Sequence, residues 1–75
     1  MISYRYKTRI GFFFITLKKE GWCIIFDNDI LDAFYDSSDS AASNLHAGSV
    51  PSLSNGVDTS SLNIPYDLAE WEYIL

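Results

Sequence analysis

The two residue types that most often act near neutral pH as an imidazole base or a thiol nucleophile are scarce in this sequence. The chain contains one histidine, His46, and one cysteine, Cys23. A catalytic base needs a nucleophile and an orienting group close to it, and no nucleophile-elbow pattern accompanies the many serines. Cys23 lies in an apolar run without an adjacent cation that would favour a thiolate. We therefore predict a protein that is not an enzyme, with Cys23 buried and His46 on the surface near a helix end.

The sequence also lacks the spacing of a metal or cofactor site. An EF-hand loop that began at Asp27 would need an oxygen ligand at its fifth position, glycine at its sixth and glutamate at its twelfth. Leu31, Asp32 and Ser38 hold those positions. A single cysteine cannot form a cysteine-rich zinc site, and the four glycines are isolated from one another. We predict no metal and no cofactor.

The basic residues are concentrated in the first part of the chain. All five lie within residues 1–20, which carry +4, whereas residues 21–75 carry −9 and the whole chain −5. The segment Tyr4–Arg9 interleaves aromatic and basic side chains, which can stack on and neutralise a single-stranded nucleic acid. The acidic remainder repels phosphate. A nucleic-acid or small-ligand module that uses this arm is therefore the alternative function, and nucleic acid is the disfavoured partner.

An acidic segment with a large aromatic residue at its centre lies close to the C-terminus. Tryptophan and tyrosine are enriched in the hot spots of protein interfaces. The candidate protein interface therefore comprises Asp67, Glu70, Trp71, Glu72 and Tyr73. The other interpretation of the same pattern is that Trp71 closes the core of a small domain, and the sequence leaves both open.

Local patterns predict a single α+β domain over residues 1–75. Strands are expected at 9–18, 22–26 and 30–35, since these runs are rich in β-branched and aromatic residues and are separated by short turns. They would form a three-stranded antiparallel meander. Serine caps and Gly48 predict one short helix over 38–47, packed on one face of the sheet.

The two ends of the chain are less regular. Residues 1–8 are expected to form either a flexible arm or an edge strand. Residues 50–62 form a long connection, and an irregular C-terminal wrap ends in a helical turn at 67–73, because Leu68 and Trp71 are three residues apart.

Both faces of the predicted sheet are apolar in the first two strands, although a lone antiparallel sheet usually has one wet face. One short helix cannot cover both faces. The second face is covered by the C-terminal segment, by a second copy of the chain, or by another protein.

The chain contains no segment typical of a membrane protein. The apolar run 10–17 is eight residues long, far below the ~20 residues that a membrane helix needs, and no small-residue cleavage site follows it. The lone cysteine suits a reducing compartment. We predict a cytoplasmic protein.

From Gly21 onward the sequence resembles a group of short bacterial proteins. The resemblance rests on Gly21-Trp22, on Phe34-Tyr35-Asp36-Ser37, and above all on Gly56-Val57-Asp58-Thr59-Ser60-Ser61-Leu62-Asn63-Ile64-Pro65-Tyr66-Asp67-Leu68-Ala69-Glu70-Trp71-Glu72. It implies a small bacterial α+β domain and supplies no activity, cofactor or catalytic residue. Taken together, the sequence favours a non-enzymatic interaction or regulatory protein with an acidic, aromatic surface, which binds a protein partner or a second copy of itself.

Overall fold

An antiparallel sheet organises the chain. In the computed structural model, which describes residues 2–74, the strands are β1 (Ser3–Thr8), β2 (Gly11–Lys18), β3 (Gly21–Phe26), β4 (Asp29–Ile30) and β5 (Glu72–Ile74). Their order in the sheet is β4-β3-β2-β1-β5, so the last strand pairs with the first. With the single α-helix of this region, α1 (Ser38–Ala47), these strands confirm the α+β class.

The described sheet has five strands, whereas the sequence predicted three. Ser3–Thr8 forms β1, which pairs with β2 on one side and with β5 on the other. These residues are therefore neither a free arm nor an edge strand. The predicted helical turn at 67–73 is limited to one 3₁₀ turn, Leu68–Glu70, after which the chain extends into β5.

The third predicted strand is interrupted. Only Asp29–Ile30 pairs as β4, and Tyr35 forms an isolated bridge to Trp22. Between them the Ala33 N–H donates to the Leu31 carbonyl at 2.8 Å. This tight turn breaks the ladder that the run Ile30 to Tyr35 was predicted to form.

Helix α1 has the bounds that its local signals predict. The Ser37 hydroxyl accepts a hydrogen bond from the Ser40 N–H at 3.0 Å, and Gly48 ends the helix at φ 78°. The sequence is rich in serine, which favours caps over helix interiors, so packing must stabilise this helix. Its buried residues, Ala41, Ala42 and Leu45, meet the sheet.

The C-terminal connection lies on the same side of the sheet as α1. Its side chains Leu53, Leu62, Ile64 and Trp71 share one core with Phe13, Ile15, Ile24, Phe26, Leu31, Ala41, Ala42 and Leu45. The buried Thr59 hydroxyl donates to the Leu45 carbonyl at 2.8 Å and joins this segment to the end of the helix. The segment thus adds to the layer that α1 forms, so of the three alternatives for the second face, coverage by the C-terminal segment is not the one seen.

Gly48 offers a test of this junction. Its φ is 78°, and a Cβ there would lie 2.6 Å from Asp58 Oδ1. We expect Gly48→Ala to lower the free energy of unfolding by about 2–3 kcal/mol, from left-handed backbone strain and displacement of Asp58. Gly56→Ala is the matched control. The φ of Gly56 is also left-handed, at 76°, but no atom lies within 4 Å of the place that an added Cβ would take. This substitution should lower the free energy of unfolding by about 1 kcal/mol. Urea unfolding measures both losses, and equal losses would contradict the close approach.

Candidate functional site: the open face of the sheet

The face of the sheet opposite α1 is called the open face here. Residues directly opposite each other in an antiparallel pair project to the same side, and the register places Phe14 opposite both Ile25 and Arg5. By the same rule, the side chains on the open face are those of Ser3, Arg5 and Lys7 on β1, Phe12, Phe14 and Thr16 on β2, Cys23 and Ile25 on β3, Ile30 on β4, and Glu72 and Ile74 on β5. None of the core residues described above belongs to this set.

Large apolar side chains of the open face reach solvent. Phe12 is 39% exposed and Ile30 is 55% exposed. Phe34, 48% exposed, lies beside Gly21 at a corner of this face. Phe14 and Ile25, between them, are partly buried. Contiguous apolar surface of this kind usually marks a site of interaction.

The β1 side of the open face carries charge. Arg5 Nε donates to Glu72 Oε1 at 2.9 Å, and the Arg5 guanidinium carbon lies 5.1 Å from the centroid of the Phe12 ring. Lys7 is exposed next to this pair. Arg5 therefore links the charged side of the face to its aromatic centre through a cation–π contact.

The opposite border is acidic. Asp27, Asp29 and Asp32 are all exposed on the β3–β4 turn and along the β4 edge. The Ser54 hydroxyl donates to Asp29 Oδ2 at 3.3 Å. Asp29 is opposite the core residue Phe26, so its carboxylate projects to the inner side of the sheet. The open face thus has a basic side at β1 and apolar side chains towards β4.

Small polar groups lie beneath the exposed side chains. The hydroxyls of Ser3 and Thr16 hydrogen-bond to each other at 3.0 Å, and both residues are buried. Cys23 is fully buried, as the sequence predicted. Burial raises the pKa of the Cys23 thiol, an effect that the charge of Lys18 opposes. The thiol is therefore a packed neutral group rather than a thiolate nucleophile.

The five C-terminal residues proposed from the sequence do not form one surface. Trp71 is buried, packs 5.5 Å from the Tyr6 ring, and donates from Nε1 to the Pro65 carbonyl at 2.9 Å. It therefore belongs to the core, the second interpretation that the sequence left open. Glu72 lies on the open face, whereas Tyr73 projects to the other side, where its ring lies 5.2 Å from Tyr4.

The two remaining candidates are exposed. Asp67 caps the Leu68–Glu70 turn by accepting the Ala69 N–H at 2.9 Å, and Glu70 lies in that turn. The apolar open-face residues were not proposed from the sequence, although the two-sided apolar pattern of the strands was the signal that pointed to them.

Outside the open face, the surface of residues 2–74 includes a histidine at the end of α1 and a cavity beside Gly48. The exposed His46 lies at the end of α1, with Nδ1 2.8 Å from the Ile64 carbonyl and its ring against Tyr66. A cavity of about 250 Å³ lies between Gly48 and the loop that contains Asp58. There the N–H and hydroxyl of Ser60 hold the pKa of Asp58 below its usual value.

The described residues hold no candidate metal site and no candidate membrane-spanning helix. Within residues 2–74, no three histidine, cysteine or carboxylate side chains lie close enough to hold a metal ion. No helix in this region is both long enough and apolar enough to cross a membrane.

Comparison with protein-family models, curated proteins and solved structures gives no significant match.

Proposed function

We propose that this chain is a non-enzymatic protein-interaction module that binds its partner through the open face of the sheet. The observation that carries this proposal is the position of both non-sheet layers on one side. Helix α1 and the C-terminal connection share the core on the inner face, while Phe12, Ile30 and Phe34 stay exposed on or beside the other.

The composition of the open face favours a protein partner. Protein interfaces combine an apolar, aromatic centre with a polar rim, and arginine is enriched among their hot spots. Phe12 and Phe14, 6.4 Å apart between ring centroids, supply that centre, with Arg5 packed on Phe12. A flat sheet face also lacks the concave shape of a small-molecule site.

The C-terminal acidic residues take a secondary place in this proposal. Glu72 borders the open face through its pair with Arg5 and would belong to the rim of the interface. Asp67, Glu70 and Tyr73 are exposed but do not share the open face, so they would bind a partner only if it reached around the β5 edge.

Site-specific photo-cross-linking in the host cell tests this proposal. A benzophenone amino acid at position 12 places the cross-linker on the open face, and the same amino acid at position 43 places it on the exposed side of α1. We expect a discrete protein adduct from position 12 and none from position 43. Equal labelling at both positions, or no adduct from position 12, would contradict the proposed function.

A second candidate function has one observation in its favour. Arg5 and Lys7, part of the arm proposed from the sequence, project onto the same face as Phe12 and Phe14, so bases could stack there beside a phosphate-binding strand. The net charge of −5 opposes this function.

Fluorescence anisotropy with a labelled oligouridine at low salt tests nucleic-acid binding. Binding that weakens with salt and is lost in Lys7→Ala, but is kept in Lys19→Ala in the exposed β2–β3 turn, would support it. No change in anisotropy at low salt would exclude it.

A further inference from the structure

We infer that the partner of the open face is a protein segment that combines carboxylates with apolar side chains. This inference rests on the proposed function and gives the chemistry of the partner. It follows from the charge of this face, which is opposite in sign to that of the whole chain, and from the apolar side chains that the charged groups border.

The basic residues of the chain all lie on the open face or in the turns at the two ends of β2. Arg5 and Lys7 project from β1 onto this face. Lys18 ends β2 and, because side chains alternate along a strand, projects to the same side. The other two, Arg9 and Lys19, lie in the β1–β2 and β2–β3 turns. The chain therefore concentrates its cations around one surface.

Carboxylates are nearly absent from this surface. Among the described strand residues that face this side, Glu72 alone is acidic, and it accepts a hydrogen bond from Arg5 Nε at 2.9 Å. Three cations and one carboxylate give the strands of the open face a charge of +2, whereas the whole chain carries −5. A surface of this kind attracts and orients partner groups of the opposite sign.

Lys7 and Lys18 are free to bind such groups. Both are exposed, and within residues 2–74 the one ion pair is that of Arg5 with Glu72. Lys7 lies opposite Phe12, and Lys18 lies six residues beyond Phe12 on β2, about 20 Å away along the strand. A bound segment would therefore place carboxylates near the two ends of β2.

Apolar side chains occupy the surface between these ends. Phe14 and its partner Ile25 lie at intermediate levels, and Phe12 and Ile30 are 39% and 55% exposed. Burial of apolar surface is the main favourable term in most protein association, whereas complementary charge sets specificity and the rate of association. The partner therefore needs apolar side chains as well as carboxylates, since an acidic segment alone would leave the centre of this face uncovered.

A nucleic acid or an anionic lipid surface fits this face less well. Either one presents negative charge continuously, and it would meet the exposed carboxylates of Asp27, Asp29 and Asp32 near the β4 edge. Isoleucine side chains such as Ile30 also have no planar ring on which a base could stack. A protein segment carries its carboxylates singly and can meet the lysines without approaching that edge.

A random copolymer of glutamate and tyrosine is the probe for this inference, with polyglutamate of the same length as the comparison. Fluorescence anisotropy of the labelled full chain at low salt measures both affinities. We expect the copolymer to bind about tenfold more tightly than polyglutamate, because only the copolymer can cover the apolar centre. Added salt should weaken the binding, since it screens the exposed lysines.

Charge variants locate the binding on the open face. Lys7→Glu and Lys18→Glu should each weaken copolymer binding about fivefold or more, because each replaces attraction by repulsion at one end of β2. The matched control, Ser43→Glu/Ser61→Glu, changes the net charge by the same −2 at exposed positions outside this face. It should leave the affinity within about twofold. Circular dichroism establishes that each variant is folded.

Three outcomes would overturn the inference. They are a copolymer that does not bind at low salt, lysine variants that bind it as tightly as the control variant does, and oligouridine or phosphatidylserine vesicles that bind at least as tightly as the copolymer.

The cross-link from position 12 separates this inference from the proposed function. We expect mass spectrometry of the adduct to place the captured residue in a segment with more acidic than basic side chains. A captured segment that is neutral or basic would keep the proposed function and overturn the acidic partner. The absence of any protein adduct would remove both.

Discussion

Replacing Phe13 by alanine is expected to remove most of the stability of this domain. Phe13 is fully buried, and its ring centroid lies 4.7 Å from that of Phe26 at the centre of the core. Truncation of a buried phenylalanine costs about 3–5 kcal/mol, whereas whole domains are stable by about 5–15 kcal/mol and a domain this small lies at the low end. Thermal unfolding followed by circular dichroism should show a melting temperature at least about 12 °C lower, if any transition remains.

Phe12→Ala is the matched control, because the same substitution one residue earlier falls on the other face of the same strand. Phe12 is 39% exposed, and its loss should cost about 1 kcal/mol or less. Both variants are measured at low micromolar concentration, so that any self-association through Phe12 does not add to the apparent stability. Similar losses at the two positions would contradict the assignment of β2 residues to an inner and an open face.

Elements with local signals were predicted well. Helix α1 runs from Ser38 to Ala47 as the sequence indicated, because its start and end depend on Ser37 and Gly48, which are adjacent to it. The strands β2 and β3 were likewise recognisable, since a continuous apolar run and a short turn are enough to define a hairpin.

The outer parts of the sheet depend on contacts between distant residues. β5 has three residues and pairs with β1. Its residue Glu72 lies opposite Arg5, which is 67 positions earlier in the chain. The spacing of Leu68 and Trp71, just before β5, favoured a helix. The structure has one 3₁₀ turn there, Leu68–Glu70. In β1, Tyr4 and Tyr6 face the core while Arg5 and Lys7 face outward. This period of two was present in the sequence but was obscured by the mixture of aromatic and basic side chains.

The candidate site was predicted only in outline. The sequence showed that two strands are apolar on both faces, so an uncovered face was one expected outcome. It could not show that the C-terminal segment packs on the same side as α1, because Leu62 and Ile64 could cover either face. The basic border also requires the strand order, which places β1, with the outward-facing Arg5 and Lys7, next to β2.

Trp71→Ala is expected to destabilise the fold by about 3–5 kcal/mol, as for other buried large aromatics. The substitution removes a ring that is 6% exposed and leaves the Pro65 carbonyl without its indole donor. Trp71 also directly precedes β5, so we expect β5 to detach from β1 before the rest of the sheet unfolds. Amide hydrogen exchange would show this as a loss of protection at Arg5, whose N–H points to β5 and whose partner there is Glu72, while Tyr4, bonded to β2, stays protected.

Tyr73→Ala provides the control, because Tyr73 is half exposed and belongs to the same C-terminal segment. Its loss should cost about 1 kcal/mol, chiefly through the contact with Tyr4. The pair of variants also decides between the two roles that the sequence left open for Trp71. If Trp71 is a core residue, its replacement lowers the melting temperature and affects binding only through unfolding. If it is an interface residue, its replacement leaves the melting temperature unchanged and abolishes the position 12 cross-link. Since its only described polar partner, Pro65, and its aromatic neighbour, Tyr6, both belong to this chain, the first result is the one we expect.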